Sequence, residues 1–235
     1  MLTDKQNKKV RGMKKTPPAP PVITKDTVTY YGRENSWYKW SYKPCIIGLD
    51  QSYANTGICV CVDGKVKYIG HIDFNKVTTK GAKRQILAKK LDKLINKCIK
   101  LYGADNIAII AERIRTLTAG NQFRPTVIKA AAAMMAYIVD TAAKYDIIVY
   151  SVDTRAWKSA ILGTSKPVFE PIEGVTDPQK FGSVRKVVEM GYRDRLYRPT
   201  KSKGNKAFKL DDDAADATCI ALYGYIYKKF LEIEQ

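Results

Sequence analysis

Hydrophobic positions along this chain fall into short, almost wholly apolar runs, separated by longer segments with helical periodicity. Such runs are typical of strands buried inside a sheet, and they cover residues 45–51, 106–112 and 147–152. Two further runs, 56–63 and 65–74, flank Asp63-Gly64, a dipeptide that favours a tight hairpin turn. The pattern therefore predicts three consecutive antiparallel strands, followed by strands that run parallel to the first.

Apolar residues with helical spacing begin after the strand predicted at residues 65–74. Between residues 83 and 102, apolar side chains recur every three or four positions, and lysines occupy the opposite side. Residues 126–145 are rich in alanine, which favours a helix, and Met134 and Met135 make this helix either a dimer face or part of the core. The order of strands and helices predicts an α/β fold, in which helices flank a mixed sheet.

Three more helices are predicted in the second half of the chain. They cover residues 153–162, 177–192 and about 212–231. Asp153 or Thr154 is the expected cap of the first, and the second opens with Asp177 followed by proline at its first position. Between the last two helices, residues 193–209 are strongly basic and are predicted to form a loop.

The first 43 residues differ in composition from the rest. Residues 1–26 lack periodicity and carry a basic run followed by a proline run, so we predict a disordered arm. Residues 27–43 are rich in aromatic side chains and predict a short hairpin around residues 32–35, packed on the main domain. Residues 44–235 are then predicted to form a single domain.

The net charge narrows the class of partner. Lysine and arginine outnumber aspartate and glutamate by 41 to 23, which gives a formal charge of +18 and points to a nucleic acid. No apolar run is long enough to span a bilayer, and the N-terminus has no apolar leader, so we expect neither a membrane partner nor secretion. Five cysteines without a CxxC pair indicate buried free thiols and a reducing environment, so we expect a cytoplasmic protein. Nothing in the sequence calls for an organic cofactor.

Two of the predicted strands end in a carboxylate. Asp50 closes the first strand of the domain, and Glu112 closes the fourth. Because both strands are predicted to be central and parallel, their carboxyl ends lie at one edge of the sheet, where open α/β sheets place their sites. A buried carboxylate needs a partner, and a structural salt bridge is the alternative explanation for either residue alone.

Four aspartates lie at the head of the last helix, in "KLDDDAADATCIAL". Asp213 and Asp216 are three residues apart, so they project from one face of the helix. Helix capping accounts for Asp211, Asp212 or Asp213, but it accounts poorly for Asp216, which falls inside the helix on its packing face. Asp212 is the main rival of Asp213 for a place in the site.

Convergence of four carboxylates requires cations to offset their repulsion. Mg²⁺ or Mn²⁺ suits such an oxygen-rich site, and two ions in one site promote the hydrolysis of a phosphodiester bond. The acidic residues are then confined to the metal site, while the basic surface around them holds the phosphate backbone. The predicted catalytic and metal-binding residues are Asp50, Glu112, Asp213 and Asp216.

Taken together, "IIGLDQSYANTGICVCVDGKVKYIGHI", "NIAIIAERI" and "DDDAADATCIAL" resemble the RuvC family of Holliday junction resolvases, within the RNase H-like superfamily. Gly48–Gly57 fit the family's G-[IL]-D-x-S-x-x-x-T-G pattern, Glu112 follows an apolar strand, and Asp213–Ala217 match its D-A-A-D-A motif. The resemblance covers roughly residues 45–230. It implies an RNase H-like sheet and a metal-dependent endonuclease that cuts four-way DNA junctions symmetrically as a homodimer.

The chain departs from the bacterial members at three places. The first 44 residues and the basic loop are additions, and Arg115 stands where bacterial members carry an aromatic wedge, a role that Phe123 could fill instead. A composition rich in lysine, isoleucine and tyrosine, together with the added basic arm, points to an AT-rich phage or virus. We therefore expect the protein in the cytoplasm of a bacterium or of an infected host. The bacterial preference for a nucleotide sequence does not transfer.

Basic residues near the predicted site are candidates for phosphate contacts. Some follow Glu112 directly, others align with lysine- and arginine-bearing segments of the family, and the rest lie in the basic loop before the aspartates. The predicted DNA-binding residues are Arg113, Arg115, Arg124, Arg155, Lys158, Lys180, Lys201, Lys203, Lys206 and Lys209. His71, the single histidine, is interpreted as a structural residue.

Several functions stay open at this point. A less selective nuclease of the same fold would act on flaps, other branched DNA or RNA–DNA hybrids. A junction-binding protein without catalysis is the alternative from a different class, and four intact acidic positions argue against it. An actin-like ATPase needs two duplicated lobes, and this chain has room for one.

Overall fold

The computed structural model describes residues 28–31, 43–52, 55–74, 77, 79–113, 125–166, 170–199 and 208–233. Its strands are β1 (Val28–Tyr31), β2 (Cys45–Gln51), β3 (Asn55–Val62), β4 (Lys65–Asp73), β5 (Ile107–Glu112), β6 (Val149–Val152), β7 (Tyr197–Pro199) and β8 (Phe208–Leu210). Its α-helices are α1 (Lys80–Tyr102), α2 (Pro125–Ala143), α3 (Thr154–Leu162), α4 (Phe181–Glu189) and α5 (Asp212–Ile233). Short 3-10 turns cover Ala104–Asn106, Pro178–Lys180 and Arg193–Leu196.

The main sheet has the strand order β1-β6-β5-β2-β3-β4. Strand β3 is antiparallel to both β2 and β4, whereas β5 lies between β2 and β6 and is parallel to both. The sequence prediction of three antiparallel strands followed by parallel ones is therefore confirmed. The carboxyl ends of β2 and β5 lie side by side, because Leu49 pairs with Ala111 at the end of their register.

Helices cover both faces of this sheet. On one face, α3, α4 and α5 contribute Trp157, Val184 and Ala217 to a core that includes Ile46 and Ile110. On the other face, α1 and α2 pack their leucines and methionines against alternate residues of the same strands. Alternation of strand side chains between two buried faces explains why the central strands read as continuous apolar runs.

Burial shows where the two methionines of the alanine-rich helix lie. Met134 and Met135 are almost fully enclosed, with exposed fractions of 0% and 3%, and they pack with residues of α1 and β5. These methionines therefore belong to the core and are not a dimer surface. The five cysteines are likewise all buried and free, as the sequence predicted.

Two glycines allow α5 to lie directly on the sheet. A Cβ atom added to Gly48 would come within 2.3 Å of the Ala217 carbonyl oxygen, and one added to Gly57 would come within 2.0 Å of the Asp213 carbonyl oxygen. Since contacts that short are impossible, only glycine permits this separation between strand and helix. The close approach brings the first turn of α5 over the ends of β2 and β3.

The predicted helices are present with small shifts at their ends. Asp153 caps α3 by accepting a hydrogen bond from the backbone of Arg155, and Asp177 caps the 3-10 turn that precedes α4. The prediction of an irregular loop at 193–209 was wrong in part. A 3-10 turn and the paired strands β7 and β8 occupy its two ends, because Leu196 and Leu210 are buried and hold the segment to the core.

The aromatic segment provides one strand of the sheet. Strand β1 pairs in antiparallel fashion with β6, from Val28 opposite Val152 to Tyr31 opposite Val149. The turn and second half of the predicted hairpin, like the arm at 1–26, lie outside the described residues. Among the residues that the structure does describe, no helix combines the length and apolar character needed to cross a membrane.

Candidate active site

Asp50 and Glu112 stand next to each other at the carboxyl edge of the sheet. Asp50 is the sixth residue of β2, and Glu112 is the last residue of the adjacent parallel strand β5. Gln51 donates a side-chain hydrogen bond to the Glu112 carbonyl, and the Thr154 hydroxyl donates one to the Glu112 carboxylate. The start of α3 therefore orients a carboxylate that comes from a strand.

The first turn of α5 brings the aspartates to the same edge. Asp211 caps this helix, since its Oδ1 accepts a hydrogen bond from the Ala214 amide at 3.0 Å. Its Oδ2 lies 2.7 Å from Nδ1 of His71 on β4. Although burial acts to raise the pKa of Asp211, the bonds from His71 and Ala214 hold it below its ordinary value. Asp211 therefore stays ionised as a structural cap and fixes the helix that carries the other aspartates.

Three carboxylates from three separate elements converge. Oxygen atoms of Asp50, Glu112 and Asp216 all lie within 4.8 Å of one another. Asp50 is 7% exposed and Asp216 only 2%, so water solvates these groups poorly. Oδ1 of Asp216 is buried and accepts no hydrogen bond from any residue in the described ranges. Such an orphaned acceptor is unfavourable unless a further group binds there.

Lys180 extends from the 3-10 turn before α4 into this group of carboxylates. Its ammonium lies 2.6 Å from Asp216 Oδ2 and 2.9 Å from Asp50 Oδ2, with Asp213 Oδ1 at 3.4 Å. Burial alone would lower the pKa of Lys180, but the three aspartates outweigh it and raise that pKa above its ordinary value. The lysine therefore carries its proton throughout the physiological range.

One ammonium does not balance the acid around it. Among these five groups alone, the four carboxylates of Asp50, Glu112, Asp213 and Asp216 face the one ammonium of Lys180, which leaves three net negative charges when all are ionised. The positive charge of Lys158 at the rim offsets part of this excess near Glu112. Burial is the main cause that raises the pKa of Asp50 and Glu112, and neighbouring carboxylates add to it. The pKa of Asp213 is raised by the same causes, against the effect of Lys180.

A second set of contacts holds Asp213 from the opposite side. Nδ2 of Asn55, the first residue of β3, donates to Asp213 Oδ2 at 3.4 Å. Arg198 on β7 donates to the Asn55 side-chain oxygen at 2.8 Å and lies 3.4 Å from Asp73. The sequence analysis missed both residues. Asn55 lies inside the motif between Ser52 and Thr56, but nothing in the sequence pairs it with an arginine 143 positions away.

A cleft of about 330 Å³ opens beside the carboxylates. Its walls include the carboxylates of Asp50, Glu112 and Asp216. The basic residues of the walls are Arg113, Lys158 and Lys180. Lys158 lies over the ring of Trp157 and donates to the Gln179 carbonyl at 3.1 Å, which holds its ammonium at the rim. Three of the predicted DNA-binding residues therefore line the cleft that contains the carboxylates.

The other predicted site residues have different positions. Arg155 is exposed on α3 and does not line the cleft, and Lys209 lies 3.7 Å from Asp212 Oδ1. Asp212 groups with Asp211 and Asp213, and neither Asp212 nor Asp213 belongs to the converging group of Asp50, Glu112 and Asp216. Asp213 is nevertheless connected to that group through Lys180, which favours it over its rival Asp212. The remaining predicted residues lie outside the described ranges: Arg115, Phe123, Arg124, Lys201, Lys203 and Lys206.

The residues fit a divalent cation of the hard class. All the converging donors are carboxylate oxygens, which Mg²⁺ and Mn²⁺ prefer, and no sulfur or imidazole ligand accompanies them in the described cleft. The excess negative charge and the buried, unpaired Asp216 Oδ1 are both relieved by a bound cation.

Comparison with known proteins supports the fold. No protein-family model matches the sequence, and no curated protein sequence matches it. The structure of Thermus thermophilus RuvC superposes with a TM-score of 0.51 at 14% identity, over 79% of this chain and 96% of that one. T. thermophilus RuvC in complex with a Holliday junction substrate gives a TM-score of 0.51 at 11% identity, over 79% and 95%.

A third structure extends the comparison to yeast. The crystal structure of the yeast mitochondrial Holliday junction resolvase Ydc2 is 14% identical over 86% of this chain and 88% of that one, with a TM-score of 0.49. The fold of this chain is RuvC-like, an α/β arrangement of the RNase H type, as the resemblance in the sequence predicted.

Proposed function

We propose that this protein is a metal-dependent endonuclease that resolves four-way DNA junctions by hydrolysing phosphodiester bonds. The observation that carries the proposal is the convergence of Asp50, Glu112 and Asp216, with oxygen atoms within 4.8 Å of one another, at the carboxyl edge of a RuvC-like sheet. Enzymes that bind hard divalent ions for phosphoryl chemistry use carboxylate sites of this composition.

In this proposal, four carboxylates hold the metal. Asp50, Glu112 and Asp216 are the inner group, and Asp213 joins them from the first turn of α5, where Lys180 already connects it to Asp50 and Asp216. A pair of Mg²⁺ or Mn²⁺ ions in such a site supplies an activated water and offsets the charge on the leaving oxygen. His71 takes no part in the chemistry, because it is engaged with Asp211.

Lys180 has two roles in the proposal. While the cleft holds no cation, its ammonium neutralises part of the charge of the carboxylates, and its raised pKa keeps the proton in place. When a scissile phosphate occupies the cleft, the same ammonium is positioned to contact a phosphate oxygen. Lys158 and Arg113 line the cleft beside it and bind the flanking phosphates.

The substrate proposed is branched DNA, and the active form is a homodimer. A chain with net charge +18 binds a phosphate backbone strongly, and its affinity falls steeply with salt. The T. thermophilus RuvC structure in complex with a Holliday junction substrate supports this choice of substrate. Symmetric cleavage of a four-way junction requires two active sites related by a two-fold axis, which a homodimer provides.

The test is a comparison of four labelled substrates in Mg²⁺: a four-way junction, a Y-fork, a linear duplex and an RNA–DNA hybrid. Paired symmetric nicks in the junction alone support the proposal. Equal cutting of linear duplex would identify a less selective nuclease, and junction binding without any cutting would identify a binding protein. Asp50→Asn serves as the control, since it should bind the junction without cleaving it.

A further inference from the structure

A second groove lies between the edge strand β4 and helix α1, separate from the catalytic cleft. Its volume is about 540 Å³, and the two sites share no lining residue. The floor is apolar and comes from β3, β4 and the inner side of α1, where Leu94, Cys98 and Leu101 follow one another at helical spacing. The volume is in the range of sites that hold several anchoring side chains.

Most of the large exposed apolar side chains in the described part of the chain lie at this groove. Within the described part of the chain, three large apolar residues are exposed, and two of them, Leu101 at 63% and Tyr68 at 45%, line it. Isolated exposed apolar residues are common on proteins, but two that share one concave, apolar groove indicate an interaction surface.

Four lysines surround the apolar floor. Lys67 comes from β4, and Lys90, Lys93 and Lys97 come from one side of α1. All four are exposed, and none forms an ion pair with another residue of the described ranges. An apolar groove with a rim of a single charge is complementary to a segment that carries the opposite charge around apolar anchors.

We propose that this groove binds a short acidic segment of a partner protein, with leucine or phenylalanine side chains seated on the apolar floor and aspartate or glutamate facing the lysines. The lysine rim selects an acidic partner, and the apolar floor selects one that also carries large apolar side chains. The proposal does not depend on the nuclease activity, because it concerns a surface outside the catalytic cleft.

Other occupants fit less well. DNA would pair with the lysines, but a duplex presents phosphates and leaves Leu101 without an apolar contact. A second copy of this chain in a two-fold contact would bring the same lysines face to face, which is unfavourable. Residues 1–26 of the chain are basic and meet the same repulsion.

The probe is a fluorescein-labelled peptide of twelve residues, in which leucine and phenylalanine at helical spacing are separated by aspartate and glutamate. Binding to the full-length protein is measured by fluorescence anisotropy. Two comparison probes are the same peptide with serine in place of the apolar residues, and an oligothymidine of twelve nucleotides. The variants are Lys93→Glu with Lys97→Glu, and Leu101→Asp.

The matched control replaces Lys89 and Lys100 by glutamate, because both are exposed on the same helix but do not line the groove. We expect both groove variants to weaken binding of the acidic amphipathic peptide by at least about tenfold, and the control pair to weaken it far less. Leu101 is so exposed that its substitution leaves the fold intact, which thermal melts will verify.

Three results would overturn the proposal. The first is an absence of peptide binding to the unmodified protein. The second is that the protein binds the serine peptide as tightly as the amphipathic one, or that the Lys89 and Lys100 control loses as much affinity as the groove variants. Either would show that net charge alone explains the binding. The third is a loss of oligothymidine binding in the groove variants while peptide binding persists, which would make the groove a nucleic-acid surface.

Discussion

The Lys180 ammonium lies 2.6 Å from Asp216 Oδ2, in the middle of the carboxylates proposed to bind metal. Lysine and divalent cation therefore compete for the same negative charge. We predict that Lys180→Met increases the affinity for Mn²⁺ in calorimetric titration, while it lowers the melting temperature of the metal-free protein because the buried carboxylates lose their counter-charge. The same variant should cleave junctions more slowly, since it lacks a phosphate contact.

The control for this variant is Lys144→Met, because Lys144 is exposed at the end of α2 and does not line the cleft. It should leave both the Mn²⁺ affinity and the melting temperature close to the original values. If Lys180→Met leaves them equally unchanged, the ion pairs of Lys180 do not govern the site.

Glu112 should reduce the stability of the metal-free protein at neutral pH. Burial, followed by the charge of Asp216, raises its pKa above the ordinary value. A group whose pKa is raised by folding stabilises the fold below its unfolded pKa, and this contribution is lost as pH rises through the folded pKa. At pH 7 we therefore expect metal-free Glu112→Gln to melt higher, by about 2–4 °C for each kcal/mol of relieved repulsion.

The difference in melting temperature between Glu112→Gln and the original protein should disappear near pH ~4, where Glu112 is largely protonated in both the folded and the unfolded state. In saturating Mg²⁺ at pH 7, the original protein should melt at a higher temperature than Glu112→Gln. The bound cation stabilises the protein with all its carboxylates more than it stabilises the variant. Melting curves across this pH range, with and without Mg²⁺, provide the measurement. A variant that melts lower at pH 7 without metal would contradict the assignment of Glu112 to the repulsive group.

Asn55 and Arg198 should position Asp213 for metal binding. Arg198 donates to the Asn55 oxygen at 2.8 Å, and this orients the Asn55 amide toward Asp213. Loss of groups that orient a ligand typically weakens metal binding about 10–100-fold. We expect Asn55→Ala and Arg198→Met each to weaken Mn²⁺ binding within that range, measured by titration, and to weaken it no further in combination.

Arg195→Met is the matched control, since Arg195 lies one turn away and contacts backbone carbonyls of β4 at 3.4 and 3.5 Å. It should affect stability but not the Mn²⁺ affinity. Equal weakening in all three single variants would show that the effect is a general loss of packing.

Gly57 should be irreplaceable for steric reasons. A Cβ at this position would lie 2.0 Å from the Asp213 carbonyl oxygen, so Gly57→Ala has to displace α5 from the sheet. We expect urea unfolding to show a loss of at least about 2–3 kcal/mol. Gly81→Ala is the control, because Gly81 lies in α1 with open space around it, and there alanine should stabilise by about 0.5–1 kcal/mol. Equal effects of the two substitutions would contradict the close packing of α5.

Strands and helices were predictable because burial imposes a pattern on them. The runs that became β2 and β5 are apolar because both faces are covered, and Asp63-Gly64 marks the turn between β3 and β4 with Asp63 at a positive φ of 49°. Asp50, Glu112 and Asp216 could be grouped because parallel strand ends and helix spacing fix where side chains meet.

Other features depend on contacts between distant residues that leave no local pattern. Lys180 was predicted to bind DNA, and its position between Asp50 and Asp216 follows from the packing of a turn that ends at Lys180 itself, 130 positions after Asp50. Strand β7 has only three residues, too few for a periodic signal, so Arg198 and its contact with Asn55 were missed. The apolar groove beside α1 was likewise hidden, since it is formed jointly by β4 and the helix.

The central claim is that the converging carboxylates hold the metal that cleaves the junction. Its most direct test is single-turnover cleavage of a labelled four-way junction in Mg²⁺ by Asp216→Asn and by Asp140→Asn, an exposed aspartate of α2 that serves as control. We predict paired symmetric nicks by the original protein and by Asp140→Asn, and a rate lower by at least about 10³-fold for Asp216→Asn with junction binding retained. Near-normal cleavage by Asp216→Asn would contradict it.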